Sequence, residues 1–359
     1  MTLRHSHDRL LKKLALAAAS LALMFLALEA GARRIKGVPL TYCRNFVETR
    51  ISLFRSVFPT QYDPELGWIP KPGDYSRGNF WGKSLTILDD GIRGNGYPVR
   101  GDSGRTILAV GDSFTYGSQV ADSETWPAEL EQLSGLRVIN GGVFAYGLDQ
   151  SVLRAERLVD RFRPHLLILS FIPDNVNRCE RAVRTGVARP YFDIVDGRLE
   201  LRNTPVPDRQ PKVRDIGLLR RSVGYSFLAD VVMRRIMGEE RWYLGDWENV
   251  RAHKRGREVA CLLMKRLADL ARSRGVRIVV LAQYQDEAAR WQSPDSLHVI
   301  ACAREQGIAV LDLYPDLAQI AKSDPGRFRS FFQGHMTREG NAFVAKQVCA
   351  FLKNSGWLQ

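Results

Sequence analysis

Cysteine is scarce in this chain of 359 residues, and it is poorly spaced for metal work. Cys43, Cys179, Cys261, Cys302 and Cys349 make an odd count with no CxxC pair, which argues against a metal centre and against a disulfide framework. Cys261, Cys302 and Cys349 fall in apolar helical patterns and read as buried thiols. No essential disulfide is expected, and Cys43 with Cys179 is the one pair worth testing. Internal repeats, low-complexity tracts, zinc-finger spacings and basic motifs interleaved with aromatics are also missing. The net charge of +13 is spread along the chain. It therefore speaks for a membrane surface or an anionic polymer before nucleic acid, and no nucleic-acid partner is expected.

Long apolar runs are lacking too, except at the amino terminus. Arg4, Arg9, Lys12 and Lys13 precede an apolar stretch from Leu14 to Leu28 that only Ser20 interrupts. Its fifteen residues are short of the ~20 that a membrane span wants. Two readings compete. A cleaved signal peptide would use Ala30-Gly31-Ala32 as its small-residue site. An uncleaved signal anchor would keep the helix, with Glu29 and Arg33 at the interface. The anchor is preferred, because a glutamate just before a cleavage site is unfavourable. Arg33, Arg34 and Lys36 on the far side nearly balance the positive charges, and the body of the protein is placed outside the cytoplasm.

What the chain does contain is a regular alternation of strands and helices from Thr106 onward. Strands are expected at 106–110, 137–140, 166–172, 277–283 and 308–313, with amphipathic helices at 125–133, 149–162, 257–274, 297–306 and 339–352. Such alternation predicts an α/β fold: a doubly wound parallel five-stranded sheet of flavodoxin-like order, with its site at the switch point. The expected division is residues 1–36 as signal anchor or signal peptide, 37–104 as an extension packed on the core, and 105–359 as the main domain. An insert at about 178–254 breaks the alternation. It carries a hairpin predicted around Asp196-Gly197 and the aromatics Trp242, Tyr243 and Trp247. A lid or substrate platform and a peripheral subdomain are equally compatible with it.

Four blocks fall at strand ends or before the last helix. The run Thr106–Val110 ends in Gly111-Asp112-Ser113-Phe114-Thr115-Tyr116-Gly117, a sharp strand-to-helix turn. Asn140-Gly141-Gly142-Val143 follows the second strand, Pro173-Asp174-Asn175-Val176-Asn177-Arg178 the third, and Gly334-His335-Met336-Thr337 opens the terminal helix. A serine hydroxyl needs a base to take its proton, and a histidine ahead of a terminal helix can reach the sheet top. The backbone amides of Ser113 and Gly142, with an asparagine side chain, can supply donors to a tetrahedral oxyanion.

These blocks resemble the SGNH, or GDSL-type, hydrolases, a family of esterases and lipases named for an essential Ser, Gly, Asn and His. The resemblance covers roughly 105–178 and 255–355. Leu66-Gly67-Trp68, Gly91-Ile92-Arg93 and the apolar amino-terminal helix are similar to bacterial envelope members. The likeness implies Ser113 as nucleophile, Gly142 as an oxyanion donor and His335 as general base. It also implies an ester substrate, small-molecule or glycan, no cofactor and no metal. For an envelope member it places a single-pass helix in the inner membrane and the catalytic domain in the periplasm. The chain is not an α/β-hydrolase elbow, since Thr115 stands where G-x-S-x-G needs its second glycine.

Two departures set questions for the structure. The third block of the family usually reads Gly-x-Asn-Asp, and here it is Asp174-Asn175, so either Asn175 takes the donor role or Asp174 is protonated or turned away. A salt bridge to Arg178 would explain the swap. The aspartate usual two or three residues before the histidine is replaced by Phe332 and Gln333. That leaves a backbone carbonyl, Gln333 or Asp324 to orient His335. Of six histidines, His335 alone sits in a block. Deacylation of a carbohydrate or lipid ester, acyl transfer to an envelope polysaccharide, and non-catalytic glycan binding are the readings to separate.

Overall fold

The computed structural model describes residues 2–50, 59–77, 81–97, 105–208, 216–244, 249–286 and 291–358. Trp247 lies outside them. Two compact units divide the chain: residues 1–55 with 213–247, and residues 56–212 with 248–359.

The larger unit is built on β1 (Thr106–Val110), β2 (Arg137–Asn140), β3 (Leu166–Phe171), β4 (Arg277–Ala282) and β5 (Ala309–Asp312). All adjacent pairs run parallel, in the order β2-β1-β3-β4-β5. This is the expected flavodoxin-like order, with boundaries within a residue of those read from the apolar runs. β1 and β3 are buried along their whole length because helices cover both faces. Leu148–Phe162 lays Val152, Ala155, Leu158 and Val159 on the sheet, and Gly256–Arg274 adds Leu263, Met264 and Leu267. Thr125 caps Trp126–Ser134 through the Ala128 amide, and Thr337 caps Arg338–Asn354 through Gly340.

The chain ahead of the sheet is stitched onto it. Gly73–Asp74 pairs with Thr86–Ile87, and Arg93 bridges from Ile87 to Asn140 at the edge of β2. The buried Arg93 guanidinium meets Asp122 at 2.8 Å and the carbonyls of Ser84, Tyr116, Gly117 and Val120. A residue of the extension thus secures the loop that follows the 113–116 turn. The predicted hairpin is present as Tyr191–Val195 against Arg198–Arg202, turning on Asp196 and Gly197 at φ 49° and 72°. Two consecutive left-handed residues are what a two-residue type I′ turn requires.

The thiol expectation is corrected. Cys261 and Cys302 form a disulfide between the helices Gly256–Arg274 and Pro294–Glu305. Each cysteine reads locally as a core residue; that the two helices pack side by side is a tertiary fact. Cys43, Cys179 and Cys349 are free thiols.

The smaller unit holds the apolar helix Thr2–Ile35, with one stretch long and apolar enough to cross a membrane. It also holds the helices Gly217–Val223, Phe227–Met237 and Glu239–Leu244. Its core is Val47, Ile216, Trp242 and Tyr243, with Trp242 Nε1 and the Tyr243 hydroxyl both donating to the buried carboxylate of Asp230.

Candidate active site

β1 delivers Gly111-Asp112-Ser113 to the carboxyl edge of the sheet beside the end of β3, the switch point of this strand order. The turn is tightly determined. A Cβ at Gly111 would sit 2.4 Å from Thr115 Oγ1 and 2.6 Å from the Ser170 carbonyl. One at Gly142 would sit 2.4 Å from the Tyr116 nitrogen, so only glycine lets the second block lie against the turn. Asp112 caps the short helix Ser113–Tyr116 by accepting from the Phe114 amide at 3.0 Å, and Gly117 closes it in the left-handed conformation.

The hydroxyl of Ser113 lies 3.0 Å from His335 Nε2. For Nε2 to accept that proton, Nδ1 carries the ring hydrogen. His335 arrives on a small hairpin, Phe332–Gln333 against His335–Met336, whose turn is Gly334 at φ 82°. Its backbone amide donates to Gln119 Oε1 at 3.1 Å, and its ring lies 5.4 Å from that of Phe114. Met336 beside it is buried. Burial lowers the imidazole pKa from 6.5 to about 4, with Asp112 opposing the shift and Arg178 adding to it. The ring is therefore neutral, and able to accept a proton, throughout the neutral range.

Among the described residues, no hydrogen bond reaches His335 Nδ1. Gln333 is exposed and meets His335 only as its backbone partner across the hairpin. Asp324 caps Pro325–Ser330 through the Arg327 amide. Neither of the two side chains considered from sequence orients the histidine.

The swapped Asp174-Asn175 pair has a structural account. Asn175 turns inward: its Nδ2 donates to Asp112 Oδ2 at 2.9 Å and to the Tyr146 carbonyl at 3.3 Å, while its Oδ1 accepts from the Ile172 amide. Arg178 joins it, with Nη1 3.0 Å from Asp112 Oδ2 and Nε 2.7 Å from Asp174. Burial opposes ionisation of Asp174, but Arg178 and Arg184 outweigh it and hold the carboxyl below its ordinary range. Asp174 is thus an ionised partner of arginine. The buried Asp112 carboxylate needs compensation, and Asn175 and Arg178 provide it together.

Two expected oxyanion donors are committed elsewhere. Both amide hydrogens of Asn175 are taken, and the Gly142 amide donates to Asn140 Oδ1 at 3.1 Å, an Asx-type turn at the end of β2. The backbone N–H of Ser113, in the first turn of its helix, has no hydrogen-bond partner among the described residues and is open to a developing oxyanion. Sequence reasoning missed Gln119, Asn140 and the reach of Arg178 to Asp112. Gln119 stands at φ 74° in the loop that Arg93 secures, and nothing local marks it.

No family model matches this chain, and no curated protein does. Among solved structures it is similar to a lipolytic protein of the G-D-S-L family from Desulfitobacterium hafniense, at 14% identity over 68% of this chain and 98% of that one, with a TM-score of 0.35. It is also similar to an acetylxylan esterase from Geobacillus stearothermophilus, at 14% identity over 73% and 99%, with a TM-score of 0.39. A lipase/acylhydrolase from Enterococcus faecalis matches at 14% identity over 70% and 96%, with a TM-score of 0.36. At that distance the chemistry of the site has to be argued from its own geometry.

Proposed function

We propose that this protein is a serine esterase working through a Ser–His acyl-enzyme mechanism on an O-acylated carbohydrate or lipid. The observation that carries the reading is the 3.0 Å contact between the Ser113 hydroxyl and His335 Nε2 at the switch point of the sheet. As Ser113 Oγ attacks the acyl carbonyl carbon, its proton passes to Nε2. The carbonyl oxygen takes up the negative charge beside the Ser113 N–H. Collapse of the tetrahedral intermediate breaks the ester bond, and the leaving alcohol oxygen takes the proton from Nε2. Water then repeats the sequence on the acyl-serine and releases the acid. Among the described residues no carboxylate hydrogen-bonds His335 Nδ1, so this pair works with less support than a full triad.

The reading places the larger unit outside the cytoplasm, with residues 12–35 as a single-pass inner-membrane anchor. The Cys261–Cys302 disulfide supports a compartment more oxidising than the cytosol. Full-length protein in detergent is expected to hydrolyse p-nitrophenyl acetate and to take a fluorophosphonate on Ser113, and Ser113→Ala to do neither. Absence of labelling in the wild type would overturn the esterase reading and leave a glycan-binding protein. Labelling without turnover in water, relieved by an added sugar acceptor, would make it an acyltransferase instead.

A further inference from the structure

The helix Thr2–Ile35 ends in a connection that its sequence does not announce. The Glu29 carboxylate accepts from the Phe227 and Leu228 amides, each at 2.8 Å, and from the Ser226 hydroxyl at 2.8 Å. These are the donors at the start of the helix Phe227–Met237, so one residue of the apolar helix caps another helix. Arg33 completes the joint: Nε meets Glu29 at 2.5 Å, and its two terminal nitrogens reach the Tyr42 and Tyr225 carbonyls, each at 2.9 Å.

The position of this joint along the span matters. Leu14 to Leu28 is fourteen helical steps of about 1.5 Å, about 21 Å in all, against a hydrocarbon layer of about 30 Å. The apolar run alone is about 9 Å shorter than that layer, and the full stretch long enough to cross it, Lys12–Ile35, includes Glu29. A lone carboxylate there is costly, but this one is compensated by Arg33 and three further donors.

The helices tied to the joint carry apolar side chains pointing outward. Leu218 is 82% exposed, Ile236 72%, Leu219 57%, Tyr225 52% and Val232 43%. Val232 and Ile236, four residues apart, form one stripe on the outer face of Phe227–Met237. The large apolar side chains exposed in the larger unit are scattered singly, whereas these five fall within 217–237. Arg221 and Arg235 are exposed among them, a charge suited to anionic headgroups.

We propose that the helices Gly217–Val223 and Phe227–Met237 form a membrane-embedded foot. They lie in the interface of the bilayer that the apolar helix crosses, in contact with anionic phospholipid. The occupant of the exposed stripe is lipid, because the helix that carries it starts on Glu29, a residue of the apolar helix itself. Glu29 is a structural joint, and the chain is retained uncleaved through residue 33. This inference rests on reading residues 12–35 as a membrane span.

The test uses full-length protein with Cys43→Ser, reconstituted in vesicles of phosphatidylcholine and phosphatidylglycerol. Single bimane labels are placed at Leu23→Cys, Leu218→Cys, Ile236→Cys and, as a control in the larger unit, Leu133→Cys. Labels at 218 and 236 are expected to lose most of their emission to lipids brominated near the headgroup end of the acyl chain. The 23 label should lose its emission to lipids brominated deeper, and the 133 label to neither. If 23 is quenched while 218 and 236 behave as 133 does, the foot is refuted and the span stands. If 23 is not quenched, the span reading fails and takes the foot with it. Omitting phosphatidylglycerol should weaken quenching at 236 and leave 23 unchanged. Equal quenching in both lipids would overturn the anionic contact.

Discussion

The turn that carries Ser113 and the hairpin that carries His335 are held in very different ways. Ser113 follows a wholly buried strand, on a turn that two glycines allow to pack against neighbouring backbone and that Asp112 caps. Asp112 is in turn clamped by Asn175 and Arg178. His335 stands on a two-by-two hairpin whose turn, Gln333-Gly334, is exposed, with one backbone hydrogen bond to Gln119 and no hydrogen bond at Nδ1 among the described residues. The serine is over-determined and the histidine is lightly held. Such a site has its serine preorganised and leaves the imidazole to manage its charge alone. Under the proposed esterase mechanism, such an arrangement would run acyl chemistry slowly, without the orienting acid.

The largest expected effect comes from removing either end of the contact. Ser113→Ala and His335→Ala should each lower kcat for p-nitrophenyl acetate by roughly 10³-fold or more, the double variant should cost little beyond the single ones, and the far-UV circular dichroism should be unchanged. Additive losses would show that the two side chains do not act as a unit. Next comes the clamp on the serine side. Arg178→Met leaves the buried Asp112 carboxylate short of a partner and should cost about 3–5 kcal/mol in urea unfolding. A cost within experimental error would mean that Asn175 alone compensates Asp112.

On the histidine side the effects are smaller. Gln119→Ala removes one hydrogen bond, about 1 kcal/mol, and should lower kcat by several-fold up to about tenfold with the melting temperature nearly unchanged. A large stability loss instead would place Gln119 among the determinants of the fold. Smallest is a shift in pH dependence. The base must be neutral to accept a proton, so the rate should rise with pH through about 4 and be level near neutrality. An acid limb at 6.5, the ordinary histidine value, would contradict a desolvated ring. Gln333→Asp sets a carboxylate opposite His335 across the hairpin and should raise that limb by about one pH unit. No movement would mean that the two side chains do not meet.

The legible parts of this protein were those set by local pattern. Apolar runs of five or six residues identified the buried strands because such runs fit little else, and Asp196-Gly197 identified its hairpin because few residue pairs tolerate two left-handed conformations. The order of the four blocks placed Ser113 and His335 on one rim because right-handed crossovers leave a parallel sheet few alternatives. The illegible parts are pairings between residues distant in sequence. That Asn175 serves Asp112, that Asn140 occupies the Gly142 amide, that Cys261 meets Cys302 and that Glu29 caps the helix at 227 each depend on how helices and loops dock. Composition and periodicity are properties of a segment, and they determined the sheet and the blocks. Which hydrogen-bond partner each polar group finds is decided only when segments meet, so the tertiary structure alone settled how the serine is clamped and how lightly the histidine is held.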